Sequence, residues 1–164
     1  VCRALHEAGV KISFDPNVRK ELMGNAGYLA AVDEIMSLTS IFLPSEDDAA
    51  ALFPGKSFAE FATPLLAAHM DYVVLKKGDH GCEAMDKTGQ RLRLPSHKVE
   101  ALDPTGAGDS FCATFVTLTA GGLLSFPDVL SRANATGALA VTKLGPMEGS
   151  GTLKKKKKFL ASRP

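Results

Sequence analysis

Two glycines and two acids stand within seven residues, Asp103-Pro104-Thr105-Gly106-Ala107-Gly108-Asp109, directly ahead of an apolar run over residues 110–120. Gly106 and Gly108 permit backbone conformations closed to bulkier residues, so successive N–H groups can converge on one point, and the dipole of the following helix adds to the same positive field. Such a segment binds anions. Asp109 falls in the first turn of that helix, where a carboxylate can take the proton from a hydroxyl whose oxygen attacks phosphorus. On spacing alone two readings stay open: a phosphoryl-transfer site, or a tight turn followed by an acidic helix cap.

The motif needs a strand before it, a helix after it and a sheet to carry both. Gly9 closes an opening helix, and residues 10–15 (VKISFD) read as a short buried strand with Asp15 at its carboxyl end. Residues 18–38 carry helical apolar spacing that Gly24 and Gly27 are expected to interrupt. A strand at 40–43 leads to a helix capped by Ser45, whose side chain can accept from the Asp48 N–H, and Pro54-Gly55 stops it. A helix at 57–68, a strand at 72–76 and a hairpin over 82–94 turning at Thr88-Gly89 follow. Residues 99–102 read as the strand before the motif, residues 110–120 as the helix after it, and a last helix starts near Pro127. Strand–helix–strand alternation predicts an α/β domain with a parallel sheet.

Composition narrows the partners. The chain has 164 residues, 45% of them hydrophobic, with nine Phe, two Tyr and no Trp, enough for one packed domain. Its net charge of +1 gives no field toward nucleic acid or an anionic membrane, which favours a small-molecule ligand. Cys2, Cys82 and Cys112 are odd in number and far apart, so they suit buried thiols in a reducing, cytoplasmic setting. No apolar run approaches the about 20 residues that span a bilayer. The four His have no ligand spacing, and the run Lys154 to Lys158 reads as a solvated stretch rather than a nucleic-acid tail.

DPTGAGDSF, residues 103–111, resembles the C-terminal D-T-G-A-G-D-x-F signature of the ribokinase-like carbohydrate kinases, the PfkB family. Three further blocks stand in that family's order. SFDPNVR (13–19) looks like its D-x-N-x-R element, LKKGDHG (75–81) like its nucleotide-side G-x-x-G turn, and NATGALAVTKLGPMEG (134–149) like its closing helix and loop. The resemblance implies a three-layer α/β/α fold with a mainly parallel sheet and an antiparallel edge hairpin, residues 1–164 being the C-terminal, nucleotide-binding part. It also implies an ATP-dependent sugar or sugar-acid kinase, nearest the tagatose, fructose and 2-keto-3-deoxygluconate branch.

Carried over by position, the resemblance makes Asp109 the catalytic base and the N–H groups of Gly106, Ala107 and Gly108 the anion hole. Gly78, Gly81 and Asn134 then face the nucleotide, Asn134 toward the adenine, and Asp15, Asn17 and Arg19 the substrate or phosphate side. Asp103, with carbonyls of Thr105, Ala140, Lys143, Gly145 and Gly149, would hold a monovalent cation. ATP, Mg²⁺ and K⁺ are the implied cofactors, and a second copy joined through a lid the implied partner. From the residues alone, Arg19 reads also as a surface ion pair, and Gly78 and Gly81 as a plain strand-to-hairpin turn.

Two departures stand beside the resemblance. Where the family has N-x-x-E, this chain reads Ser45-Glu46-Asp47-Asp48, so Asp48 is either a Mg²⁺ ligand or part of an acidic first turn that complements a helix dipole. The family's N-terminal half, with most of its sugar-binding residues and the lid, has no counterpart in these residues, so the expectation is a fragment that is inactive alone. The competing expectation is a nucleotide-binding regulatory or assembly module without phosphotransfer. A Rossmann dehydrogenase is excluded because no G-x-G-x-x-G follows the first strand.

Overall fold

A computed structural model describes residues 1–149 and Phe159; the lysine run Lys154 to Lys158 lies outside the described residues. The chain forms two compact units, one from Val1–Lys77 and Glu83–Arg93, the other from Gly78–Cys82 and Leu94 onward.

The first unit is built on a five-stranded sheet in the order β1-β2-β3-β4-β5. Helix α1 (Cys2–Glu7) ends at Gly9, whose φ of +78° lets Val10 N–H fold back onto the Leu5 carbonyl. The strand expected over 10–15 is therefore short: β1 is Ser13–Phe14, although Ile12 already accepts from the N–H groups of Ser40 and Ile41. A single 3₁₀ turn, Lys20–Leu22, and then helix α2 (Ala26–Leu38) follow. Gly27 does not interrupt α2. It sits in the first turn, which a glycine tolerates, while the Asn25 side chain caps the helix by accepting from Tyr28 N–H at 3.0 Å.

Strands β2 (Ile41–Phe42) and β3 (Tyr72–Lys76) run parallel to β1 and to each other, connected by α3 (Glu46–Leu52) and α4 (Phe58–Ala68). Capping boxes open both helices, Ser45 with Asp48 and Ser57 with Glu60. β4 (Cys82–Asp86) and β5 (Arg91–Leu94) form the expected hairpin, and the short links on either side of β4 oblige antiparallel pairing. Asp86 Oδ1 shapes its turn by accepting from Thr88 N–H, Thr88 Oγ1 and Gln90 N–H. β4 is buried along its whole length, so its Glu83 carboxylate is matched by the guanidinium groups of Arg91 and Arg93. The core of this unit gathers Phe42, Phe58, Phe61, Met70, Val73 and Leu75. Phe53 and Phe61 stack at 4.8 Å, and Phe58 meets Phe61 edge-on at 5.5 Å.

The second unit rests on two helices, α5 (Ala107–Gly121) and α6 (Phe126–Ala140). Gly137 of α6 faces Ala107 and Phe111 of α5, and Phe115 packs edge-on to Phe126. α5 begins three residues earlier than the apolar run suggests, and no strand forms over residues 99–102. The N–H groups of Leu102 and Asp103 instead both reach the Val141 carbonyl just past α6, which satisfies them without a neighbouring strand. Among the described residues no helix is long and apolar enough to cross a membrane. Cys82 is buried, which pushes its thiol up to about 12.

Two outcomes follow. Phe61→Ala, which leaves a cavity beneath the aromatic stack, should lower stability by about 3–5 kcal/mol in urea titration. Cys82 should resist a thiol-specific disulfide reagent at pH 8 in the folded chain and react only after denaturation.

Candidate active site

Helix α5 starts on a residue with no side chain. Gly106, its N-cap, has φ +78°, and a Cβ there would lie 2.3 Å from the Pro146 carbonyl oxygen, so glycine is demanded twice over. Ala107 N–H donates to the Pro104 carbonyl at 3.2 Å. No acceptor stands opposite the N–H groups of Gly108 and Asp109 among the described residues, so these two are the orphan donors at the positive end of the helix.

Asp109 occupies the third helical position, as Asp48 does in α3, Glu60 in α4 and Asp128 in α6. Those three carboxylates are all consumed by the serine at their own N-cap: Asp48 accepts from Ser45, Glu60 from Ser57, and Asp128 from Ser125 Oγ at 2.5 Å. Asp109 faces a glycine cap. Its carboxylate is exposed and makes no hydrogen bond or ion pair among the described residues, so the capping role left open by the sequence is not the one it plays.

Asp103 anchors the loop ahead of the helix. Its Oδ1 accepts from Thr105 N–H and its Oδ2 from Gly145 N–H, both at 2.9 Å. Hydrogen bonding from Thr105 first, then from Gly145, holds the Asp103 carboxyl below the usual carboxylate range. Residues 141–149 fold closely over this region: a Cβ on Gly149 would lie 2.0 Å from the Ala140 carbonyl oxygen, and one on Gly145 2.2 Å from a Glu148 carboxylate oxygen. Thr105 and Lys143 are exposed. One carboxylate with main-chain carbonyls is an all-oxygen donor set, which fits a hard monovalent cation.

The remaining expected residues fall in two places. In the second unit, Gly78 and Gly81 (φ +56° and +91°) bound a 3₁₀ turn in which Gly81 N–H reaches the Gly78 carbonyl. A Cβ on Gly81 would strike the Leu94 carbonyl oxygen at 2.0 Å, so close packing alone accounts for that glycine. Asn134 is buried and donates from Nδ2 to the Pro95 carbonyl at 2.8 Å. In the first unit, Asp15 follows β1 and pairs with Lys76 at the end of β3, a lysine the sequence did not single out. Asn17 adopts φ +39°, and Arg19 N–H donates to the Tyr28 hydroxyl at 3.2 Å. The Arg19 side chain is exposed and forms no ion pair among the described residues, which sets aside the surface-pair reading. Asp48 does not fit the Mg²⁺ role: it is 5% exposed, its Oδ1 accepts from Val18 N–H at 2.7 Å, and its Oδ2 accepts from Ser45 N–H at 2.8 Å and Ser45 Oγ at 2.6 Å. Among the described residues no cluster of His, Cys, Asp and Glu could hold a metal ion.

Helix α5 thus opens on two backbone donors and a carboxylate that have no partner among the described residues. The chain belongs to the pfkB family of carbohydrate kinases, whose profile matches residues 1–153. It is 30% identical over 163 residues to the 2-dehydro-3-deoxygluconokinase of Bacillus subtilis, covering 99% of this chain and 50% of that protein. The fold is ribokinase-like. An E. coli protein crystallised as a ribokinase II with ATP and Mg²⁺ superposes with a TM-score of 0.92 at 33% identity, over 99% of this chain and 52% of its own. A double-mutant fructokinase from Vibrio cholerae O395, bound to fructose, ADP and potassium, gives 0.84 at 25% identity, over 97% and 53%. The chain thus spans about half the length of the curated relatives it matches.

The depressed Asp103 carboxyl fixes a pH window. Its two hydrogen bonds are intact above the unfolded carboxylate value of about 3.9 and are lost as pH falls through the lower folded value. The Gly145 amide resonance should therefore hold its position from pH 7 down to about 4 and move only below it. In Asp103→Asn it should be displaced at every pH.

Proposed function

We propose that this chain carries the nucleotide and base end of an ATP-dependent kinase acting on a hydroxyl of a sugar or sugar acid. The observation that carries the reading is Asp109: a carboxylate at the start of a helix, with no capping partner among the described residues, beside donors that have no acceptor among them. Asp109 takes the proton of the acceptor hydroxyl as its oxygen forms a bond to the γ-phosphorus and the bond from phosphorus to the leaving ADP oxygen breaks. The backbone N–H groups of Gly106 and Gly108, continuing into Asp109, face the negative charge that develops on the transferring group, whereas Ala107 N–H, expected among them, is taken by the Pro104 carbonyl. They are preorganised by the loop itself, so no reorientation opposes the reaction.

Asp103, Thr105, Ala140, Lys143, Gly145 and Gly149 are the residues to hold a monovalent cation. When bound, it supplies positive charge behind the anion pocket and stiffens the loop that presents it. Mg²⁺ belongs with the nucleotide phosphates rather than with Asp48. The family resemblance assigns Asn134 and the Gly78–Gly81 turn to the nucleotide, and Asp15, Asn17 and Arg19 to the acceptor. The named relatives act on fructose and 2-dehydro-3-deoxygluconate, which makes ketoses and keto-deoxy sugar acids the first acceptors to try.

In the active protein, Asp109→Asn should lower kcat by about 10²-fold or more while nucleotide affinity by calorimetry changes little. Undiminished turnover would remove Asp109 as the base.

A further inference from the structure

We infer that Asp48 is a positioning residue for the acceptor-side loop, acting through Val18 on Asn17 and Arg19, in place of the metal role its place in the sequence suggests. The loop from Asp15 to Arg19 is fastened at successive points within the first unit. Asp15 is paired with Lys76, Val18 N–H is held by Asp48 Oδ1 at 2.7 Å, and Arg19 N–H is held by the Tyr28 hydroxyl. Between the first two anchors Asn17 sits at φ +39°, a left-handed backbone that asparagine takes more readily than other non-glycine residues. The side chains left exposed by this fastening are Asn17 and Arg19.

The chemistry of Asp48 suits a clamp. Two main-chain N–H donors from separate segments, Val18 and Ser45, converge on one buried side chain, and only an acceptor at both ends satisfies both. An ionised carboxylate does so. An asparagine would turn its NH₂ toward one of the two donors and leave it unpaired in a buried site, and the capping partner Ser45, three residues away, is the one it would keep. The same three hydrogen bonds and the burial leave no open face for a hydrated Mg²⁺, which keeps several waters when protein-bound. The inference rests on the kinase reading only for what Asn17 and Arg19 touch.

The test therefore has one arm that needs no catalysis. In the 164-residue chain, Mn²⁺ serves as the paramagnetic stand-in for Mg²⁺, and amide relaxation and hydrogen exchange are read together. The expected result is no selective broadening at Ser45 to Asp48, with Val18 N–H protection falling by about tenfold or more in Asp48→Asn and in Asp48→Ala. Selective Mn²⁺ broadening of Ser45 to Asp48 in the wild-type chain would overturn the inference, and that measurement needs no variant to fold. So would unchanged Val18 protection in folded variants. In the active protein, Asp48→Asn should raise KM for the acceptor about tenfold with kcat and the Mg²⁺ concentration for half-activation little altered. A shift in the Mg²⁺ requirement with KM unchanged would return Asp48 to the metal, whereas an inactive wild type would count against the kinase reading and leave the exchange result standing.

Discussion

A single left-handed residue decides what the start of α5 can do. Gly106 carries the chain into the helix at φ +78° with the Pro146 carbonyl filling the space a side chain would need. A serine cap, the solution used by α3, α4 and α6, is thereby ruled out on steric grounds. Without a capping hydroxyl the first-turn donors stay directed outward, and the acid at the third position has no serine to fold back upon. Exposed amides and a loose carboxylate are unfavourable for helix stability and favourable for chemistry, and both arise from the same missing atom.

The contrast with Asp48 shows how strongly the cap governs an acid's fate. Asp48 and Asp109 share a residue type and a helical position. One is drawn into a buried lattice of donors that ties two segments together, the other is left at the surface. The intrinsic properties of aspartate are equal at the two sites, so the neighbours three residues before each, Ser45 and Gly106, make the difference.

What the sequence made legible was local. The capping serine at 45, the alternating Arg91–Leu94 strand and the Thr88-Gly89 turn each declare themselves within four residues, and β3 matches its expected span. The motif from Asp103 to Asp109 was legible for the same reason. Non-local partners were not. The apolar letters at 99–102 look like a strand, but their fate depends on where α6 ends, some forty residues later, and on a carbonyl at Val141. Likewise Asp48 meets Val18 and Asp15 meets Lys76 across separations that no periodicity encodes. Gly27 was misleading in the opposite way: its helix-breaking reputation belongs to helix interiors, and Asn25 had already started the helix ahead of it.

The alternation along β5 has a consequence for life in a crowded solution. As the last strand of its sheet, β5 is where a strand from another molecule would try to add. Its exposed positions are Arg91 and Arg93, both paired with the buried Glu83 of the neighbouring strand. Two guanidinium groups against one carboxylate leave an excess of positive charge at this margin, and like charge opposes pairing with a second copy of it. The buried acid thus draws both arginines to the margin where that excess charge bears on edge pairing.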